Sequence, residues 1–298
     1  MGMNSIALAT KYTPLLDEVF KKESVTTDLE DKKVNFDGVK TVKILKVETP
    51  PLDAYDRNSG FKKGAVKAEW EDWKLEQDRG IEFSVDAVDN EETLDATFGA
   101  AVAEFIRTRV APEVDLYRFA KLASTTGVSV ATAGALTKGE DVLKALTAAM
   151  SKMDNDEVPE QGRILYIESS LKRLIDEVDN YKSKKVFEEF AKVVKVPKSR
   201  FFTKTVYKDE EINGVTHKVI AAADDAAPIN FMIVVPSAQQ STAKHVKLRI
   251  FLADGDNGNG ANKNQDQDAH KFQYRIVHDT NTYENKRAGI YYHPGVKG

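Results

Sequence analysis

Hydrophobic and polar positions change period several times along the chain, and each change predicts a different element. From Asp89 to Gly127, apolar side chains recur at Leu94, Phe98, Val102 and Phe105, then at Val114, Tyr117 and Leu122, the 3.6-residue spacing of a helix with one buried stripe. Asp89 and Glu92 form a capping-box pattern at its start, and Gly127 is a plausible stop. Pro112, between the two stripes, has no N–H and crowds the preceding turn, so it predicts a kink or a split into two abutting helices. At about 1.5 Å per residue, a continuous helix of this length exceeds what the core of an ordinary domain needs.

Before this helix the period is two. Val39 to Val85 predicts two long strands joined by the loop LDAYDRNSGFKKG, with a change of phase at Ile44 and Leu45 that suits a bulge. An isolated two-stranded hairpin is marginal in water, so its aromatic residues need an outside surface, from the same molecule or from another. Further upstream, Thr13 to Val25 predicts a short amphipathic helix through Leu15, Leu16, Val19 and Phe20, and TTDLEDKKVNFDG predicts an extended polar arm. After the long helix, a helix from Gly139, a buried strand from Arg163 and a helix from Ser169 predict a compact α/β unit. A Lys-rich region follows from Lys182 to Lys208. It has the charge to touch phosphate, but such runs are more often solvated faces. The last third reads as strands beginning near Ile229, His245, His270 and Tyr283, with a polar Gly/Asn/Asp loop at 252–269 expected to be exposed.

Composition narrows the function. The 298 residues include 43 basic and 47 acidic ones for a net charge of −4, without the basic excess of a dedicated nucleic-acid binder. With no cysteine, disulfides, thiolate catalysis and cysteine-ligated metals are excluded, and no apolar run is long enough to cross a bilayer. We expect a soluble protein with no membrane partner. Asp254 and Asp256 have the spacing of a calcium loop, but Gly258 and Gln265 stand where ligands are needed. The five histidines, His217, His245, His270, His278 and His293, form no metal-binding spacing. No catalytic residue, cofactor-binding residue or metal ligand is expected, and the chain reads as a non-enzyme.

Three strings, NSIALATKYTPLLDEVFKKES, LEQDRGIEFSVDAVDNEET and KFQYRIVHDTNTYENKRAGIYYH, resemble major capsid proteins of the Hong Kong 97 type from phages and prophages of Gram-positive bacteria. The order of elements resembles that family as well. The resemblance implies an α+β Hong Kong 97-type capsid fold, with an N-arm at 1–38, an extended hairpin or E-loop at 39–85, and a peripheral domain from 86–127 and 226–298 that carries the spine helix. An axial domain is implied at 128–225. It further implies a structural protein, not a catalyst, that forms pentamers and hexamers of an icosahedral shell around phage DNA. Implied partners are a separate scaffolding protein, a portal protein and packaged double-stranded DNA bound without sequence specificity. The implied location is the virion capsid, assembled in the host cytoplasm. The hairpin and arm supply the expected subunit-interface residues Tyr55, Arg57, Trp70, Trp73, Arg79, Tyr12 and Phe20. Two alternatives are an encapsulin-like bacterial compartment and a soluble α/β enzyme or binding protein.

Overall fold

The computed structural model describes residues 19–20, 23–30, 36–38, 40–55, 57, 60–86, 102–178, 180–212, 214–251 and 269–297. Its central sheet has five strands in the order β5 (Ser129–Val130), β13 (Ile290–Pro294), β10 (Ile229–Val234), β6 (Ile164–Glu168) and β7 (Lys192–Val196). β10, INFMIV, is buried at every position, as a strand covered on both faces must be. Helices α2 (Gly139–Asn155), α3 (Ser169–Asp176) and α4 (Asn180–Glu188) accompany this sheet. Leu143, Leu146 and Met150 of α2 and Leu171 and Ile175 of α3 share one core with Leu165, Ile167 and Phe231. Gly139 opens α2 because a Cβ there would lie 2.2 Å from the Leu174 carbonyl oxygen, which permits the close crossing of α2 and α3.

A second sheet has the order β11 (Gln239–Phe251), β12 (Ala269–Thr282) and β4 (Gln77–Asp86), all antiparallel. The expected closing segment 226–298 therefore divides between two sheets. β10 and β13 join β6, whereas β11 and β12 pair with the returning strand of the long hairpin, so a boundary near residue 225 cuts through the five-stranded sheet. β11 starts at Gln239, earlier than the expected His245, and residues 284–289 of the last expected strand form a 3-10 turn. Residues 252–268 of the expected exposed polar loop lie outside the described residues.

The long helix connects the two cores. Val102, Ile106, Val110 and Val114 pack with Phe272, Tyr274 and Ile276 of β12, while Phe119 and Leu122 enter the core of the five-stranded sheet. The helical run from 102 passes through Pro112 without splitting, but its hydrogen bonding changes. Residues Ile106–Val110 form a π-helical turn, closed by the Ala111 N–H on the Ile106 carbonyl, and α1 (Ala111–Ser124) continues with Pro112 in its first turn. The wider turn accommodates a residue that cannot donate an N–H to the ordinary ladder. The helix ends at Ser124, three residues before the expected stop, and Gly127 takes φ +90° in the following turn. The capping box at Asp89 and the residues Leu94 and Phe98 lie outside the described residues.

At the seam between the two cores, α1 buries a charge network. Asp115 and Arg118 are both 0% exposed. Asp115 accepts hydrogen bonds from Ser24 Oγ at 2.7 Å, Thr26 Oγ1 at 2.6 Å and the backbone N–H groups of Val25 and Thr26, and it pairs with Arg200 at 3.1 Å. Arg118 donates to Thr26 Oγ1 at 2.9 Å and pairs with Glu30 at 2.7 Å. Gln239 Nε2 of β11 donates to the Leu29 carbonyl. Residues 23–30 are consequently packed, with Ser24, Thr26 and Leu29 buried, and the expected polar arm is corrected over this part. Its polar residues go inside because buried carboxylate, guanidinium and amide groups satisfy them.

Asp115→Ala leaves Arg200 without its carboxylate and Ser24, Val25 and Thr26 without their acceptor, and the expected loss of stability is about 3–5 kcal/mol by urea unfolding, with faster amide exchange over residues 23–30. A loss below about 1 kcal/mol would show that the network adds little.

A second buried carboxylate generates a pH-dependent prediction. Asp279 accepts from Tyr117 Oη at 2.9 Å and from the N–H groups of Glu76 at 3.2 Å and Thr280 at 2.8 Å. Desolvation nevertheless raises its pKa, because burial outweighs those hydrogen bonds. A raised carboxyl favours the fold below the ordinary Asp range and loses that contribution as pH rises through the folded value. Thermal unfolding across pH 4–7 is therefore expected to show D279N gaining on wild type as pH rises. A constant difference between the two proteins would contradict this account.

Candidate functional site

The surface least explained by the chain's own packing is the hairpin of β2 (Thr41–Glu48) and β3 (Lys67–Lys74). Its register runs without interruption from Thr41 opposite Lys74 to Glu48 opposite Lys67, so no bulge forms at Ile44 and Leu45. β-branched Thr41, Val42, Ile44 and Val47 favour the extended backbone of β2. β3 pairs with β2, and β4 leaves through Leu75 and Glu76 to pair with β12.

Only the root of the hairpin is held. Val42, Leu75 and Val277 are buried together, with Phe36, Ile44 and Trp73 packed against them. Asp78 joins Lys40 at 2.5 Å and the Arg275 guanidinium at 2.6 Å, and these cations hold its carboxyl well below the usual carboxylate range. Glu76 pairs with Lys121 of α1 at 2.6 Å, which lowers its pKa, and receives a hydrogen bond from Tyr117 Oη at 3.2 Å. Lys244 of β11 sits 4.3 Å from the Phe36 ring centre and donates to the Gly38 carbonyl at 3.0 Å.

Beyond the root the side chains face water. Every residue of β3 except Trp73 is exposed, and Trp70 is 61% exposed. At the tip, Leu52 and Phe61 are 103% and 86% exposed, and Tyr55 and Val66 are exposed as well. Tyr55 and Phe61 meet with ring centres 4.8 Å apart, and Lys62 pairs with Asp53 at 2.7 Å. A Cβ on Gly64 would lie 2.4 Å from Pro50 Cγ, so the absence of a side chain lets the two sides of the loop approach. The tip is organised, yet its apolar side chains remain in solvent.

The expected interface residues divide. Tyr55, Arg57 and Trp70 are exposed on the hairpin and its tip. Trp73 is partly committed to the chain's own core. Arg79 is engaged internally, bidentate to Glu113 of α1 at 2.7 and 3.2 Å, donating to the Lys218 carbonyl at 2.5 Å and lying 5.7 Å from the Tyr207 ring centre. Phe20 is only 2% exposed, packed with Val102, Ile106 and Phe272, so it has no surface left for a neighbour. Tyr12 lies outside the described residues. Sequence reasoning overlooked Leu52, Phe61 and Val66, although isolated apolar residues in a Pro-, Gly- and Lys-rich loop are a readable signal.

The internal polar groups serve the fold. His278 and Asp279 are 0% and 1% exposed, and Tyr117 meets the His278 ring edge-on while donating to Asp279, so solvent and substrate have no approach. Tyr117 is pushed far up by burial and by neighbouring Asp279, which keeps it a neutral donor. His293 shares a hydrogen bond of 3.0 Å with Asn230, and burial lowers its pKa. Among the described residues, no group of three or more His, Cys, Asp or Glu is placed to hold a metal ion. No described helix is long and apolar enough to cross a membrane.

No family model matches the sequence, and no curated protein matches it. Solved structures match across nearly the whole chain. The capsid of cyanophage P-SCSP1u aligns with a TM-score of 0.56 at 12% identity over 92% of this chain and 89% of its own. The capsid of Staphylococcus phage Andhra gives 0.55 at 9% identity over 90% and 83%. A virus-like particle from Pyrococcus furiosus gives 0.58 at 10% identity over 96% and 99%. With its central five-stranded sheet, the helix that joins two cores and the projecting hairpin, the chain has the α+β capsid fold of Hong Kong 97-type tailed phages.

Proposed function

We propose that this chain is the major capsid protein of a tailed phage or prophage, a structural building block whose copies form an icosahedral shell around double-stranded DNA. The observation that carries the reading is the hairpin. Its root is buried, its tip is ordered around exposed aromatic and aliphatic side chains, and nothing described in its own chain covers them. Repeated by symmetry, such an element gains the missing surface from a neighbouring copy. Residues 39–76 then serve as the E-loop. The sheet of β4, β11 and β12, with the first half of the long helix, serves as the peripheral domain, and the five-stranded sheet with α2, α3 and α4 as the axial domain. Pentamers and hexamers would form the shell, with a separate scaffolding protein and a portal as partners, in the host cytoplasm.

The fold is shared by shells with other contents, and an encapsulin-like compartment remains the runner-up. Capsids of several tailed phages share this fold, and three strings of the sequence resemble capsid proteins, which favours the phage reading. Nothing in the hairpin is catalytic chemistry; its side chains supply contact area.

Electron microscopy and sizing of the purified protein, with and without products of the adjoining genes, are expected to show closed shells or capsomers. Compact monomers under every assembly condition would overturn the proposal, and a cargo enzyme encoded beside the gene, in place of portal and terminase, would favour the compartment.

The two tryptophans separate the roles of hairpin and root. Trp70→Ala is expected to reduce assembly at least tenfold while leaving the monomer's unfolding midpoint unchanged, because the ring contacts little of its own chain. Trp73→Ala is expected to cost about 2 kcal/mol of monomer stability in urea, since it removes a partly buried ring from a small core. Equal effects of both substitutions on the monomer would place both rings in the internal core.

A further inference from the structure

The seam between the two cores has an aromatic layer beside its charges. Arg118 and Phe119 are neighbours on α1, and Arg200 and Phe201 are neighbours at the end of a 3-10 turn, just ahead of the hairpin of β8 (Thr205–Ile212) and β9 (Val215–Ala222). Each pair gives a cation to the charge network and a ring to the aromatic layer. Phe119 meets Phe201 edge-on with ring centres 4.7 Å apart, and it meets Tyr166 of β6 edge-on at 5.2 Å. All three rings are 0% exposed. Of the three, only Tyr166 carries a polar atom on its ring.

Two polar atoms at this seam are left over once the protein's own hydrogen bonds are assigned. Arg118 commits Nη1 to Thr26 and Nη2 to Glu30, but its Nε has no partner among the described residues, and neither has Tyr166 Oη. Both atoms are shut off from bulk solvent. A guanidinium does not give up its proton, so the Nε–H remains a donor. Burial, and after it the carboxylates of Asp28 and Asp115, push the Tyr166 hydroxyl far up, while Arg118 acts on it in the opposite direction. The phenol therefore stays a neutral O–H, within electrostatic reach of Arg118 and Asp115. Leaving either group without a partner would cost its full desolvation.

The charge balance selects what joins them. Two donors can be served together by an anion or by a water molecule. The ion pairs here already balance, Arg118 against Glu30 and Arg200 against Asp115, so an anion would add an uncompensated charge in a dry place. A water molecule adds none. We propose that one water molecule is bound at this seam as part of the fold, accepting from Arg118 Nε–H and hydrogen-bonded to Tyr166 Oη. It links β6 to α1 by a directional contact where the rings supply only apolar ones. The inference does not depend on the shell reading.

Tyr166→Phe removes the hydroxyl and keeps the ring, and the sign of its effect is decisive. With a bridging water, the variant is expected to melt lower than wild type by about 2 °C or more. An unchanged or higher midpoint would show that the hydroxyl has no partner to lose, and it would overturn the proposal. A wild-type map at a resolution that reveals ordered water is expected to hold one within hydrogen-bond distance of both atoms, and the map of Tyr166→Phe to lack it. A wild-type map with no water there, or with Tyr166 Oη bonded directly to a protein acceptor, overturns the site as well. Exchange of chloride for bromide is expected to leave the wild-type midpoint unchanged and to place no anomalous peak beside Arg118; a bromide peak there would replace the water by an anion. Should Tyr166→Phe fail to fold, the wild-type maps decide the matter.

Discussion

One helix holds the molecule together, and it does so by being buried in two places at once. Its first half packs on β12 and its second half fills the core of the five-stranded sheet. Apolar contact along the helix would by itself set the two cores only loosely against each other, because it has little directional preference. At the middle of the helix lie Asp115 and Arg118, which bind the segment 24–30 and, through Arg200, the chain just before β8. Directional hydrogen bonds in a dry environment define how these pieces sit, and removing one partner leaves the other charge stranded.

The same helix anchors the hairpin. Glu113 receives Arg79, Lys121 receives Glu76, and Tyr117 reaches Asp279 on the strand that pairs with β4. The root is thereby tied to a rigid element while the blade beyond it has only one partner strand. Local stability follows from this arrangement. A paired ladder with one strand on each side resists opening, whereas a two-stranded blade with exposed side chains depends on whatever covers it. On the shell reading proposed above, another copy would complete the blade, and assembly would then be coupled to ordering of the hairpin.

Much of this was legible in the residues. Period-two patterning located both strands of the hairpin, and period-3.6 patterning located α2, α3 and the described part of the long helix. β10 announced itself through the apolar run Phe231–Val235. The failures also have physical causes. The polar string from Thr26 looked unable to pack because its side chains carry no apolar periodicity, but a buried carboxylate 89 residues away satisfies its donors. Phe20 and Arg79 looked like surface for a neighbour and are consumed by long-range partners that no local pattern reveals. Pro112 predicts a kink or a split, and a π-helical turn just ahead of it carries the helix through without a split.

What the sequence determined by itself is local: the strand and helix periods, the lack of thiol chemistry, and the presence of a long hairpin that is marginal on its own in water. These follow from spacing and composition, which act over a few residues. Tertiary structure decided which strands share a sheet, sending β10 and β13 to one and β11 and β12 to the other. It also decided which charges are buried and which apolar side chains stay in solvent. Those outcomes depend on contacts between residues far apart in the chain, and their free energies arise only when the partners are brought together in space.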